Sequence, residues 1–480
     1  MKKILYSAFF QKILRIPDLQ KMLISLLGWN FLRKAFLNWV ERGIYNFDVK
    51  RNPDNRPLQS QLEKYWAGRA MLKSVDTGFS KKLISARYAL GLIYNLLWNV
   101  LLFGAEKRKR FLEKEGRKPP LFMTISPFAG CNLKCKGCYA GSEAALTEKL
   151  LFHILNRIIS EGKELFGMNF FVISGGEPMF YRDRGKDLLD LVEMHSDCFF
   201  LSFTNGTLIN REIAERMAKL GNITPAISIE GYQRETDERR GKGVHEKILR
   251  AMALLREFGV PYGVSVTANR NNIELVSSPE FFGYCFEQLN ALYCWIFQYM
   301  PIGRGFDINL MPTPEQQIDA NYRTWGEVRE KKRFIIDFWG SGCAADGCVC
   351  AAREGGYFYI DWNGNVMPCV FIPYSTHNIN EVYNNGGNLR TATIDSEFFK
   401  EIRHWQDEYG FRNPSLPSKQ CYLRWKFVPC PHRHCYGELL RIVQKFGAKP
   451  INEEARRALE DKDYTRGLTK YGERVKELVL

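Results

Sequence analysis

The sequence predicts an α/β protein on a parallel sheet, either doubly wound or curved into a barrel, with a helical module before it and a cysteine-rich segment after it. Three observations lead there. From residue 121 onward, six short β-rich runs alternate with helix-like stretches. The positive charge excess is confined to the first quarter, where residues 1 to 120 hold 24 Lys and Arg against 9 Asp and Glu, while residues 121 to 480 hold 44 against 44. Seven of the 13 cysteines fall after residue 340. At 480 residues the chain is long enough for two or three units, and its 45% hydrophobic and 25% charged composition is that of a protein with a buried core. The expected divisions are a basic amphipathic helical module at 1–120, a catalytic core at 121–320, an auxiliary cysteine domain at 321–440 and a helical tail at 441–480.

The first module reads as helices, with apolar stretches at 22–32 and 88–105 separated by the turn-rich "KRNPDNRPLQ". An odd cysteine count, and an N-terminus without an h-region or small-residue cleavage site, point to a reducing cytoplasmic compartment with cysteines used for metal. Tyr88 to Ala105 is 18 residues without charge, about 27 Å as a helix, at the lower limit for crossing a bilayer. Asn95 and Asn99 share one face and "KRKR" follows at 107–110. That pattern suits a helix lying in the interface, each basic residue adding roughly 1 kcal/mol of attraction to an anionic surface. The expectation is a peripheral, monotopic protein on the inner face of the membrane. The basic residues are interleaved with apolar runs and not with stacking loops, so no nucleic-acid partner is expected.

The strand candidates are "LFMTIS", "NFFVIS", "CFFLSFT", "ITPAISI", "YGVSVTA" and "LYCWIFQY". Parallel α/β folds place their sites at the C-terminal ends of strands, and the motifs fall there. Cys131, Cys135 and Cys138 follow the first strand, "SGGEPMF" the second, "TNGT" the third, and "SIEG" closes the fourth. No fourth cysteine lies within fifty residues of the triad. A closed structural site takes four protein ligands, so three either borrow a distant one, such as His153, or leave a coordination position open for chemistry. Cys198, Cys285 and Cys294 lie inside apolar runs and read as small buried hydrophobes.

Taken together, "CNLKCKGC", "GGEP" one β-α unit later and "SIEGYQRETDERRGKG" resemble the radical S-adenosylmethionine (radical SAM) enzymes over residues 121 to 310. Gly137 stands where the family has an aromatic residue, and Glu230 where Asp is commoner. The resemblance implies a partial (β/α)6 TIM-like barrel. It also implies a 4Fe-4S cluster held by Cys131, Cys135 and Cys138, with SAM chelating the fourth iron and cleaved by one electron to a 5′-deoxyadenosyl radical. By family match, Gly175 and Gly176 admit the methionine end of SAM, Glu177 accepts from its ammonium group and Pro178 holds the turn. Thr204, Asn205, Ser228 and Arg240 are candidates for its ribose and carboxylate.

The later cysteines, Cys343, Cys348, Cys350, Cys369, Cys421, Cys430 and Cys435, resemble a SPASM or twitch extension, with Gly364 marking a hairpin between Cys350 and Cys369. This implies one or two auxiliary iron-sulfur clusters. The first would use Cys350, Cys369, either Cys343 or Cys348, and Cys435; a second would draw on His432 or His434. A structural zinc knot is the alternative for the same cysteines. Function follows as radical SAM chemistry on a hydrophobic, membrane-lipid substrate, with an anionic membrane surface and a reductant such as flavodoxin or ferredoxin as partners. The alternatives are maturation of a ribosomal peptide or protein, and a non-catalytic iron-sulfur electron carrier.

Overall fold

The computed structural model describes residues 29–53, 55–92, 94–95, 104–408 and 429–479. Cys421, the first 28 residues and the middle of the 88–105 stretch lie outside the described residues.

Every strand candidate forms a strand: β1 (Met123–Ile125), β2 (Phe170–Ile173), β3 (Phe199–Thr204), β4 (Ile223–Ser228), β5 (Gly263–Ala268) and β6 (Cys294–Gln298). They pair in chain order, all in parallel. A seventh strand that the periodicity did not single out, β7 (Ile335–Asp337), continues the parallel series beside β6. The sheet is buried on both faces, which is why its strands read as near-continuous apolar runs. Towards the helices, Phe171 and Phe200 stack at 5.8 Å. Towards the barrel interior, Val172, Leu201 and Ala226 make a separate small cluster.

The crossover helices carry apolar residues at helical spacing. Phe152–Phe166 buries Phe152, Leu155, Ile158, Ile159, Gly162 and Phe166 against the sheet, then stops at Gly167, whose φ of 66° is the left-handed cap. His153 is exposed at the start of that helix, so the structure withdraws it as a fourth ligand for the triad.

The cysteine-rich segment completes the sheet. β8 (Tyr359–Ile360) pairs in parallel with β1, and β9 (Asn365–Met367) folds back antiparallel through the turn at Gly364. β10 (Tyr374–Ser375) leaves the sheet to pair with β12 (Lys449–Pro450), while β11 (His377–Asn378) pairs with β9. The ten-stranded order is therefore β11-β9-β8-β1-β2-β3-β4-β5-β6-β7.

The described part of the first 120 residues is helical, with helices at Asn30–Ile44, Leu58–Ser80, Ala86–Leu92 and Gly104–Glu115. It packs onto the barrel. Tyr88 is fully buried and donates from its hydroxyl to the Ile223 carbonyl at 2.6 Å. Within "KRKR", Lys107 donates to the Lys163 carbonyl (3.1 Å) and Arg108 to the Gly167 carbonyl (3.2 Å), so these cations meet the negative end of the 152–166 helix. Arg110 pairs with Glu106 and Lys109 with Glu113. Among the described residues, no helix is long and apolar enough to cross a membrane.

Candidate functional site

A cavity of about 250 Å³ opens at the C-terminal ends of the strands. Its lining brings together Cys131, Cys135 and Cys138 with Gly175, Gly176, Glu177, Thr204, Asn205, Ser228 and Arg240. Pro178 lies just behind the wall, opening a short 3-10 turn that Glu177 caps. The glycines are needed for approach. Gly175 has a φ of 108°, and a Cβ on Gly176 would fall 2.1 Å from the Gly130 carbonyl oxygen. Gly176 N–H donates to the Phe128 carbonyl and Glu177 N–H to that of Gly130, both at 3.0 Å, which ties the glycine turn to the cysteine loop.

Glu177 is fully buried, and burial raises its carboxyl above the usual range. The carboxylate accepts from Thr204 Oγ1 (2.7 Å), Asn205 N–H (2.8 Å) and Met179 N–H (3.0 Å), binding the end of β2 to the end of β3. Asn205 Nδ2 stands 3.7 Å from Cys131 Sγ, Arg240 Nη1 3.9 Å from Cys135 Sγ, and Leu133 N–H 3.4 Å from Cys131 Sγ. N–H donors aimed at the sulfurs suit thiolates that bind an iron-sulfur cluster. Burial pushes the Cys131 thiol up to about 12, so the metal-free thiol keeps its proton at neutral pH.

Sequence reasoning underweighted three supports. Glu230, 1% exposed, accepts from Arg240 Nε at 2.8 Å, from Arg239 and from Thr267 N–H at 3.1 Å. Burial opposes the charge of Arg240, but Glu230 and the Cys135 and Cys138 sulfurs outweigh it and hold the guanidinium above its ordinary value. Tyr139 reaches across to Ser174 Oγ (3.2 Å) and accepts from Gly175 N–H. Arg304 donates to the carbonyls of Cys135, Gly141 and Ser142 at 3.1, 2.8 and 2.9 Å. The Arg-rich run after β4 and the aromatic Tyr139 just after Cys138 were readable in the sequence; Arg304 was not.

A second cavity of about 190 Å³ is lined by Cys348, Cys350, Cys369 and Cys430. The structure thus groups Cys348 with Cys350 and Cys369, and brings Cys430 to the lining where the family pattern implied Cys435. Cys343 is buried elsewhere, its carbonyl accepting from Ser60 Oγ at 2.7 Å, and Cys435 caps the helix Tyr436–Phe446. The Cys348 and Cys350 sulfurs lie 3.5 Å apart, and that contact holds Cys348 below the usual thiol range while raising Cys350. Gln406 Nε2 donates to Cys350 Sγ at 3.2 Å. Four convergent cysteines with N–H and O–H donors fit an iron-sulfur cluster. His432 spends its ring nitrogens on the Phe371 carbonyl and the Tyr464 hydroxyl, and His434 on Cys430 N–H and Gln317. Neither presents a nitrogen to this cavity.

Elsewhere, His195, Asp197 and Cys198 bring ligand-type atoms within 4.8 Å of one another at the start of β3. Asp197 there already accepts from Lys163 Nζ at 2.8 Å. Cys285 and Cys294 are fully buried among apolar side chains.

Residues 125–273 match the model of the radical SAM superfamily. An AdoMet-dependent heme synthase of Methanosarcina barkeri is 25% identical over 312 residues, covering 59% of this chain and 84% of that protein. The mycofactocin maturase MftC of Mycolicibacterium smegmatis is 28% identical over 307 residues, covering 61% and 75%. The sporulation killing factor maturation protein SkfB of Bacillus subtilis is 27% identical, covering 52% and 60%. A crystal structure of Streptococcus suis SuiB bound to the precursor peptide SuiA superposes with a TM-score of 0.49 at 18% identity, covering 63% and 71%. These findings overturn the expected lipid substrate and anionic membrane surface. The relatives include two named as maturation enzymes and one as a heme synthase, none as an enzyme of lipids, and the basic run that suggested an anionic membrane surface meets carbonyls and carboxylates of this chain.

Proposed function

The chain belongs to the radical SAM superfamily and uses a 4Fe-4S cluster and SAM, and on that premise we propose that it is a maturase of a ribosomally made peptide. The observation that carries this reading is a cavity with two unlike halves. One half holds the three thiols and the glycine turn. The other is a wall of Phe122, Phe170, Phe203, Trp295, Phe297 and Phe371, suited to one apolar side chain of a peptide and not to an exposed polar group.

Cys131, Cys135 and Cys138 would hold the cluster, and the bound cluster with SAM supplies one-electron chemistry that ends in hydrogen-atom abstraction from the substrate. Gly175 and Gly176 leave backbone, without side chains, where the methionine end of SAM must approach. Thr204 and Asn205 at the end of β3 and Ser228 at the end of β4 offer polar groups to the cavity. Arg240, fixed by Glu230, presents a permanent cation to a carboxylate. The aromatic wall keeps water from the reacting carbon. Cys348, Cys350, Cys369 and Cys430 would hold an auxiliary cluster on the far side of that wall.

The test is anaerobic incubation of the reconstituted enzyme with SAM, dithionite and synthetic short peptides encoded beside its gene. The expected result is 5′-deoxyadenosine release that rises with one peptide, together with a mass change in that peptide. Release that responds to a haem precursor and to no peptide defeats the proposal.

A further inference from the structure

The reaction cavity and the auxiliary cavity share one wall, because Phe122, Trp295, Phe338, Tyr357 and Phe371 line both. Among these five, Tyr357 is the residue whose polar atom reaches a cluster ligand: its hydroxyl lies 2.9 Å from Cys369 Sγ. The direction of that bond follows from the neighbours. The phenolic oxygen already accepts from Val370 N–H at 3.3 Å, which leaves its hydrogen for the sulfur, and a metal-bound Cys369 is a thiolate with no hydrogen to give. The ring is held from both sides. It stacks on Phe122 at 5.1 Å with planes 5° apart and meets the edge of Phe338 at 6.2 Å. Its backbone donates to the Val349 carbonyl at 2.8 Å and accepts from Ala352 N–H at 2.9 Å, which pins it to the loop that carries Cys350.

We infer that Tyr357 is a positioning residue that sets the reduction potential of the auxiliary cluster and makes that potential respond to occupancy of the reaction cavity. Reduction adds negative charge to the cluster and its sulfurs, so an O–H donor on Cys369 stabilises the reduced state and raises the potential. The same ring forms part of the reaction-cavity wall, so a molecule pressing on that wall changes the O–H to sulfur geometry. Gln406 is the internal contrast. It donates to Cys350 from the other side and does not line the reaction cavity. The inference rests on the reading that Cys348, Cys350, Cys369 and Cys430 hold an auxiliary cluster and not on the identity of the substrate.

The experiment is an EPR-monitored redox titration of the reconstituted holoenzyme, with and without SAM, for the wild type, Tyr357→Phe and Gln406→Ala. Phe keeps the ring and removes the donor. The auxiliary midpoint is expected to move to more negative potential in Tyr357→Phe with iron and sulfide content unchanged. SAM is expected to shift the midpoint in the wild type and in Gln406→Ala, but not in Tyr357→Phe. If Tyr357→Phe loses iron, fluorotyrosine at 357, a stronger donor of nearly the same size, is expected to move the midpoint in the positive direction. A midpoint that neither substitution moves overturns the inference, as does a SAM response that survives in Tyr357→Phe. A wild type without auxiliary iron overturns it together with the auxiliary-cluster reading, and leaves the peptide assay to decide the substrate separately.

Discussion

Glu230 is a single buried carboxylate that holds two guanidinium groups beside the cysteine loop, Arg240 and Arg239. Replacing it with Ala leaves two cations without their partner next to the Cys135 sulfur. Removing one member of a buried ion pair costs about 3 kcal/mol or more, so Glu230→Ala is expected to lower the denaturation midpoint and weaken SAM binding, measured by urea unfolding and by equilibrium dialysis. Glu63 behaves in the opposite way. Its Oε2 has no hydrogen-bond partner, and burial pushes its carboxyl up to about 7 from the ordinary 4.5. The folded protein therefore binds this proton more tightly than the unfolded chain does. Stability from this group is complete below about pH 4.5, falls as pH rises towards about 7 and is level above, a loss of about 3 kcal/mol. Glu63→Gln is expected to raise the melting temperature at about pH 8 and to leave it unchanged at about pH 4.5. Neither residue's role was readable in sequence. Glu230 was visible as a motif position and Arg239 and Arg240 as part of an Arg-rich run, but their pairing was not, and Glu63 sits in a helix whose surroundings come from the distant 343–346 turn.

At the scale of elements, the cysteine loop keeps its shape through a segment more than 160 residues away. Gly303, with a φ of 66°, lies so close that a Cβ would fall 2.2 Å from the Tyr139 carbonyl oxygen, and Arg304 then gathers the carbonyls of Cys135, Gly141 and Ser142. Gly303→Ala and Arg304→Ala are both expected to loosen the loop. The measurement is iron content after anaerobic reconstitution, which should fall by up to about four irons while the auxiliary EPR signal persists. The six strands and their motifs were legible because sheet burial on both faces leaves apolar runs, and because parallel connections put every motif on one end of the sheet. The brace was not legible. "GRG" carries no periodicity, and its function depends on carbonyl groups that every residue has.

At the scale of the molecule, the cysteine-rich segment adds β8, β9 and β11 to the free edge of β1, and so carries the second thiol set to the wall of the first cavity. Substituting Cys348, Cys350, Cys369 or Cys430 with Ala is expected to remove about four irons each time. Cys343→Ala should leave iron content intact, because that residue lies against Ser60 and Asp346, outside the cavity lining. Equal loss in Cys343→Ala and none in Cys430→Ala would restore the pattern that the family spacing implied. The basic first quarter also changes meaning at this scale. Its charges were counted correctly from sequence and assigned to a membrane, whereas Lys107 and Arg108 serve the carbonyl end of a helix some fifty residues further along the chain.

By itself the sequence determined the α/β class, the strands of the parallel core, the three thiols and the glycine turn, since each of these follows from residue type and spacing within one β-α unit. The tertiary structure alone decided which later cysteines share a cavity, what the N-terminal cations meet, and that one tyrosine joins two cavities. Those are contacts between segments tens to hundreds of residues apart, and no local pattern records a distance that only the folded sheet creates.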